Sequence, residues 1–168
     1  MTSSSLHLAL DRVGARRLHI VVAVASIGLI AAALFMQHVV GLNPCPLCIL
    51  QRIAFLLLAI VSGLAAWRAP RPSARGYAVA ALLLALTGAA IAAWHVRVRS
   101  VPELQSCGPG LGAMLENFPL TQVLPRILRG SGDCADAAAV LFGVSLPAWS
   151  LAGFLVLALI TVAALVRR

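Results

Sequence analysis

The chain has 168 residues, 61% of them hydrophobic and 11% charged, with a mean hydropathy of +0.99 and a formal net charge of +8. A soluble domain is nearer half apolar and a quarter charged, so no single water-facing core hides this surface; disorder, coiled coils and disulfide-packed secreted minidomains are excluded with it. All thirteen basic residues are Arg. Without Lys there is neither a Walker-type phosphate loop nor a Schiff-base lysine, and the charge reads as membrane topology rather than nucleic-acid binding.

A helix needs roughly 20 apolar residues to cross a hydrocarbon core of about 30 Å. The first predicted span is Leu18–Val40. A signal peptide is the rival reading, with Ala31-Ala32-Ala33 as its cleavage site, but the apolar stretch Ile20–Met36 outruns the ~7–15 residues of a signal core. The second span, Ile49–Trp67, is the weakest, because Gln51 and Arg52 sit in its first turn or so. The third is Gly76–Trp94. A loop from Arg97 to Ser145 follows; its apolar, Pro-interrupted stretch Met114–Leu128 is too short and broken to span and is expected to lie as a short helical segment on the membrane surface. The fourth span is Leu146–Val166. Trp67, Tyr77, Trp94 and Trp149 mark span ends, where an aromatic belt places amphipathic rings.

Charge orients these spans. Arg12, Arg16, Arg17, Arg68, Arg71, Arg75, Arg167 and Arg168 fall on one side, against Asp11 alone. Arg97, Arg99, Arg126 and Arg129 fall on the other, balanced by Glu103, Glu116, Asp133 and Asp136. Excess Arg marks the cytoplasmic side. The expected fold is therefore an all-α membrane protein: one domain over residues 1–168, a four-helix bundle with both termini cytoplasmic and two periplasmic loops.

All four cysteines then lie outside: Cys45 and Cys48 in Cys-Pro-Leu-Cys, and Cys107 and Cys134 in the long loop. That side of a bacterial-type inner membrane is oxidising. Two structural staples are the plain reading, contributing about 3–4 kcal/mol for a Cys107–Cys134 closure and about 2 for Cys45–Cys48 in the chain-entropy model. Against staples, a four-helix membrane bundle has little need of one in a two-residue gap, and Cys-X-X-Cys lets one thiol resolve a mixed disulfide formed by the other. Gly108-Pro109-Gly110 and Gly130-Ser131-Gly132 beside the second pair suit a loop that reaches a partner. A four-thiolate zinc site usually repeats the short spacing, which Cys107 and Cys134 do not. A c-type haem is excluded because Ile49, not His, follows Cys48.

Cys48 in the first turn of span two feels the positive end of the helix dipole, and Arg52 lies one turn deeper on the same face. Arg52 either snorkels to the interface or serves a site where a thiolate meets a membrane-soluble acceptor. His38 and His95 end spans one and three at the same interface. Each is a plain interfacial histidine or a hydrogen-bond donor to that acceptor; Gln37 and Gln51 are weaker candidates.

Phe35-Met36-Gln37-His38-Val39, Asn43-Pro44-Cys45-Pro46-Leu47-Cys48-Ile49, Gln51-Arg52, Gly132-Asp133-Cys134 and Pro147-Ala148-Trp149 together resemble the disulfide bond formation protein B (DsbB) family, over nearly the whole chain. The DsbA–DsbB–quinone relay is that family's established chemistry. The resemblance implies a bacterial inner-membrane oxidoreductase that reoxidises a DsbA-like, thioredoxin-fold periplasmic oxidase and passes two electrons to ubiquinone or menaquinone, with no metal and no nucleic acid. It implies disulfides Cys45–Cys48 and Cys107–Cys134. Cys107 would receive the partner's attack, Cys134 would exchange with Cys45, and Cys48 would face the quinone beside Arg52; His95 matches a histidine near the quinone ring, and His38 remains a candidate. Pro46 and the Gly-rich segment after Cys107 depart mildly from the family pattern. The rivals are a four-span scaffold or small transporter with structural disulfides, and a vitamin-K-epoxide-reductase-like enzyme, against which the span order speaks.

Overall fold

The computed structural model describes residues 3–42, 44–69, 71, 73–100, 140–141 and 143–166, with side chains from residue 14 of the first helix onward. Cys107, Cys134 and the Met114–Leu128 stretch lie outside the described residues. Four helices account for nearly everything described: α1 (Ser3–His38), α2 (Pro46–Arg68), α3 (Ala74–Ser100) and α4 (Leu146–Val166). Each contains an apolar stretch long enough to cross a bilayer, beginning at Gly14 in α1 and covering the other three helices whole. In lipid a backbone must satisfy its own hydrogen bonds, which is why these runs are helical.

Three helices extend past the spans expected from the sequence, Leu18–Val40, Ile49–Trp67 and Gly76–Trp94. No proline interrupts the chain from Ser3 to Val13, so α1 begins well before Leu18. At its far end Gly41 takes a left-handed φ of 80°, and the Leu42 N–H donates back to the Met36 carbonyl at 3.2 Å. Pro46 opens α2 at a position where its missing N–H costs nothing. Past Trp94, α3 continues two more turns to Ser100. The next helix breaker in the sequence is Pro102, which disfavours helix at the residue before it.

The helices pack as a ring, α1 on α2, α2 on α3, α3 on α4, and α4 back on α1; that last seam is the thinnest. Small residues let α3 approach its neighbours. Ala78, Ala81, Ala85, Gly88, Ala89 and Ala92 are buried along one face at helical spacing, the small-residue packing that replaces hydrophobic drive inside a membrane. A Cβ on Gly88 would land in the ring of Phe154, which stacks on Phe55 with centroids 3.8 Å apart and planes 5° from parallel. Buried Ser26 and Thr161 satisfy their hydroxyls on the carbonyls one turn back, Val22 and Leu157. Val24, Ile27, Leu83, Leu155 and Leu159 are exposed, as lipid-facing positions should be. At the α2–α3 end, Arg68 lies 5.9 Å from the Trp67 ring and 5.6 Å from Tyr77, a cation held between interfacial aromatics.

A short antiparallel hairpin, β1 (Val140–Leu141) with β2 (Val144–Ser145), leads into α4. The sequence pattern alone marks this segment only as loop. Its turn uses Gly143 at φ 79°.

Candidate functional site

The site grows from the start of α2. Cys45 is the N-cap: its backbone is extended (φ −82°, ψ 166°), and its sulfur accepts the otherwise unpaired N–H of Cys48 at 3.3 Å. Pro46 follows as the first helical residue. The Cys-Pro-Leu-Cys spacing thus makes one thiol the cap and sets the other a single turn away, with the two sulfurs hydrogen-bonded at 3.1 Å and no bond joining them. Cys45 is fully buried against Val98 of the extended α3, and Cys48 is partly exposed.

Arg52 follows Cys48 by one turn. Although it carries a full charge, it is only 9% exposed, so it does not reach outward to water. Its guanidinium donates to Gln37 Oε1 and, at 3.2 Å, to the Ala33 carbonyl, both on α1. The charge is anchored across the α1–α2 interface.

Cys48 and Arg52 share one wall of a cavity of about 270 Å³ bounded by α1, α2 and the start of α4. Met36, Phe55, Pro147 and half-exposed Trp149 are among its largely apolar lining. An apolar cavity of about 150 Å³ already admits benzene, so this one has room for a substituted six-membered ring. A ring bearing carbonyl oxygens suits it: apolar walls take the ring, and a guanidinium with about five donors, two of them engaged, can meet an oxygen.

The histidines fall elsewhere. The resemblance puts His95 at the ring of a bound acceptor, but it does not line the cavity. It is fully buried on the far side of the cysteines, with Nε2 3.5 Å from Cys45 Sγ and Nδ1 3.1 Å from Gln51 Nε2. The reason is helical phase: Ala81, Ala85, Gly88, Ala92 and His95 form one inward stripe, so α3 delivers the imidazole to the bundle interior. His38 is exposed at the end of α1 and does not line the cavity either. The two glutamines, the weaker candidates by sequence, are the links. Gln37 holds Arg52, and Gln51, itself on the cavity wall, holds His95. An amide next to the one intramembrane Arg was the available signal for Gln51; Gln37 offered only its place beside His38.

Comparison with known proteins gives matches over most of the chain. The family model described as "Disulfide bond formation protein DsbB" matches residues 15–164. Three relatives, each named disulfide bond formation protein B, are similar over most of their length. That of Chromohalobacter salexigens is 49% identical over 136 residues, 79% of this chain and 79% of the relative. Those of Paracidovorax citrulli and Stutzerimonas stutzeri are each 40% identical, over 90% and 91% of this chain and 87% and 96% of their own.

Proposed function

The chain belongs to the disulfide bond formation protein DsbB family, and on that premise we propose that it reoxidises a soluble thioredoxin-fold dithiol oxidase and delivers the two electrons to a membrane quinone. It is a multi-pass membrane protein and a disulfide-forming oxidoreductase of that family. The observation that carries the finer reading is the shared wall: a cysteine of the Cys-X-X-Cys pair and an anchored guanidinium line one ring-sized apolar cavity within the bundle.

The proposed sequence runs by thiolate attack. The partner's thiolate attacks Cys107, forming a mixed disulfide and releasing Cys134 as thiolate; the partner's second thiol then displaces Cys107 and leaves oxidised. The Cys107 and Cys134 dithiol in turn reduces the Cys45–Cys48 disulfide: Cys134 attacks Cys45 and Cys48 leaves as thiolate, then Cys107 attacks Cys134, which releases Cys45 and restores the Cys107–Cys134 disulfide. Each exchange moves one disulfide and two electrons. A quinone, when bound, supplies the two-electron, two-proton acceptor that restores the Cys45–Cys48 disulfide. Cys48 is the sulfur on the cavity wall, Arg52 stabilises negative charge beside it, and His95 with Gln51 fixes Cys45 behind it. The Arg distribution supports an orientation with the cysteine loops in the periplasm and both termini in the cytoplasm.

The test is purified protein in detergent with a reduced thioredoxin-fold oxidase and a soluble ubiquinone analogue. One quinone should be reduced per partner disulfide formed, and Cys48→Ala should abolish quinone reduction while still exchanging disulfide at Cys107. Undiminished quinone reduction by Cys48→Ala would overturn the assignment. Purely structural disulfides predict lost folding instead, with no partner-dependent reduction in the wild type.

A further inference from the structure

Behind the cavity, two soft ligands and one borderline ligand converge. Cys45 Sγ, Cys48 Sγ and His95 Nε2 lie within 4.8 Å of one another, and the first and last of these residues are fully buried. We propose that in the dithiol state these three atoms form a binding site for one zinc(II)-class cation, and that the bound cation arrests the enzyme. The site stands on its ligand geometry and does not depend on the quinone reading.

Tetrahedral zinc with bonds of about 2.3 Å to sulfur and 2.0 Å to nitrogen spaces a sulfur and a nitrogen about 3.6 Å apart, and two sulfurs about 3.8 Å. The Cys45–His95 separation of 3.5 Å already meets the first figure. The sulfurs at 3.1 Å must part by some tenths of an ångström, and Cys48, at the partly exposed end of the pair, has the freedom to do so. Two further contacts prepare the ligands. The Cys48 N–H bonded to Cys45 Sγ holds that sulfur in position. With the Gln51 amide turned to present its oxygen, His95 Nδ1–H donates to it, which leaves the Nε2 lone pair facing the sulfurs. Cys48 also lines the cavity, from which water could supply a fourth ligand.

Four-thiolate zinc is the wrong pattern to seek in this sequence; the third ligand comes from α3, 47 positions beyond Cys48. The site is gated by oxidation. Binding requires both thiols to lose their protons, two released per cation, and a Cys45–Cys48 disulfide offers no thiolate. Once bound, the cation occupies both sulfurs of this pair, so neither exchange at Cys45 nor electron delivery from Cys48 proceeds until it leaves, and turnover stops after the first exchange at Cys107.

The experiment uses the full-length chain carrying Cys107→Ala and Cys134→Ala, reduced, in detergent, titrated with cobalt(II) and then displaced with zinc(II). One cobalt per chain is expected, with a thiolate-to-metal charge-transfer band and the visible bands of a tetrahedral site. Cys48→Ser should remove the two-thiolate signature, and prior oxidation should abolish binding. Gln51→Leu should weaken affinity about 10- to 100-fold, and His95→Ala at least as much. Should His95→Ala fail to fold by circular dichroism, Gln51→Leu and Cys48→Ser carry the decision. Equal affinity in oxidised protein would place the metal away from these thiolates, and unchanged affinity in Gln51→Leu would reduce the site to metal capture by a bare dithiol; either result overturns the proposal. In the wild type, zinc should stop partner-dependent turnover and a chelator should restore it; metal binding by a wild type that reduces no quinone would leave this site standing and remove the quinone reading alone.

Discussion

Replacing Arg52 by Ala deletes a guanidinium that is 9% exposed, tied to Gln37 and the Ala33 carbonyl on α1, and set on the cavity wall beside Cys48. A hydrogen bond from a charged group contributes about 1.5–3 kcal/mol. At about 1.4 kcal/mol per tenfold, the loss of one such bond to a bound quinone oxygen raises the KM for quinone about 10- to 150-fold. Arg52→Lys keeps the charge and loses the planar fork of donors, so its KM should fall between wild type and Arg52→Ala. Gln37→Leu leaves the charge in place and frees one of its two tethers, so the bond to quinone should weaken only in part, by about 0.5–1.5 kcal/mol, or roughly two- to tenfold in KM. The assay is steady-state quinone reduction on quantified, purified variants, paired with rapid mixing against the reduced partner to follow the first exchange at Cys107. That first exchange should be unchanged in all three. An Arg that merely anchors the helix predicts reduced abundance with wild-type kinetics per folded molecule, and a wild-type KM in Arg52→Ala would refute the reasoning.

Three further outcomes are expected. In Cys134→Ala the Cys107 thiolate attacks the disulfide of an oxidised partner and releases the partner's second thiolate; with no Cys134 to resolve the adduct, a Cys107–partner mixed disulfide should accumulate on non-reducing gels, and trapping at Cys45 or Cys48 would reverse the division of labour between the pairs. An impermeant thiol reagent should label Cys107 and Cys134 in reduced, intact spheroplasts, whereas labelling only in inverted vesicles would invert the topology. Gly88→Ala drives a methyl into the Phe154 ring, an overpacking cost of about 1–3 kcal/mol that should lower the midpoint of thermal aggregation in detergent. Phe154→Leu in the same chain should recover part of that loss, and a Gly88→Ala midpoint equal to wild type would show that the Phe55–Phe154 stack yields freely.

The four spans are legible in the sequence because a long apolar run in lipid has one backbone solution; Leu146–Val166 is the same helix by either route. Hydropathy misplaces the helix ends elsewhere, since it registers where the bilayer stops rather than where hydrogen bonding stops. The run of α3 beyond Trp94 is the costliest of these misplacements, because His95 and Val98, which pack on Cys45, lie in it. The side His95 faces was nevertheless written in the chain: it continues the stripe Ala81, Ala85, Gly88, Ala92 at steps of three and four, and a polar residue on a small-residue stripe faces inward. The pairing of Gln37 with Arg52 had no such mark. It joins two residues fifteen positions apart on different helices and depends on the rotation of those helices about their own axes, which no local pattern records.

The thin seam between α1 and α4 changes what concentration means for this protein. A cavity bounded by α1, α2 and the start of α4 beside that seam would take the proposed quinone, a tailed ligand, from the bilayer and not from the aqueous phase. Occupancy then follows the ligand's mole fraction among lipid or detergent molecules, and the bulk molarity is a misleading axis. At fixed quinone, doubling the micellar volume halves that mole fraction and should double the apparent KM, while the KM for the water-soluble dithiol partner stays where it was. Plotted against mole fraction, the quinone curves from different detergent loads should collapse onto one line.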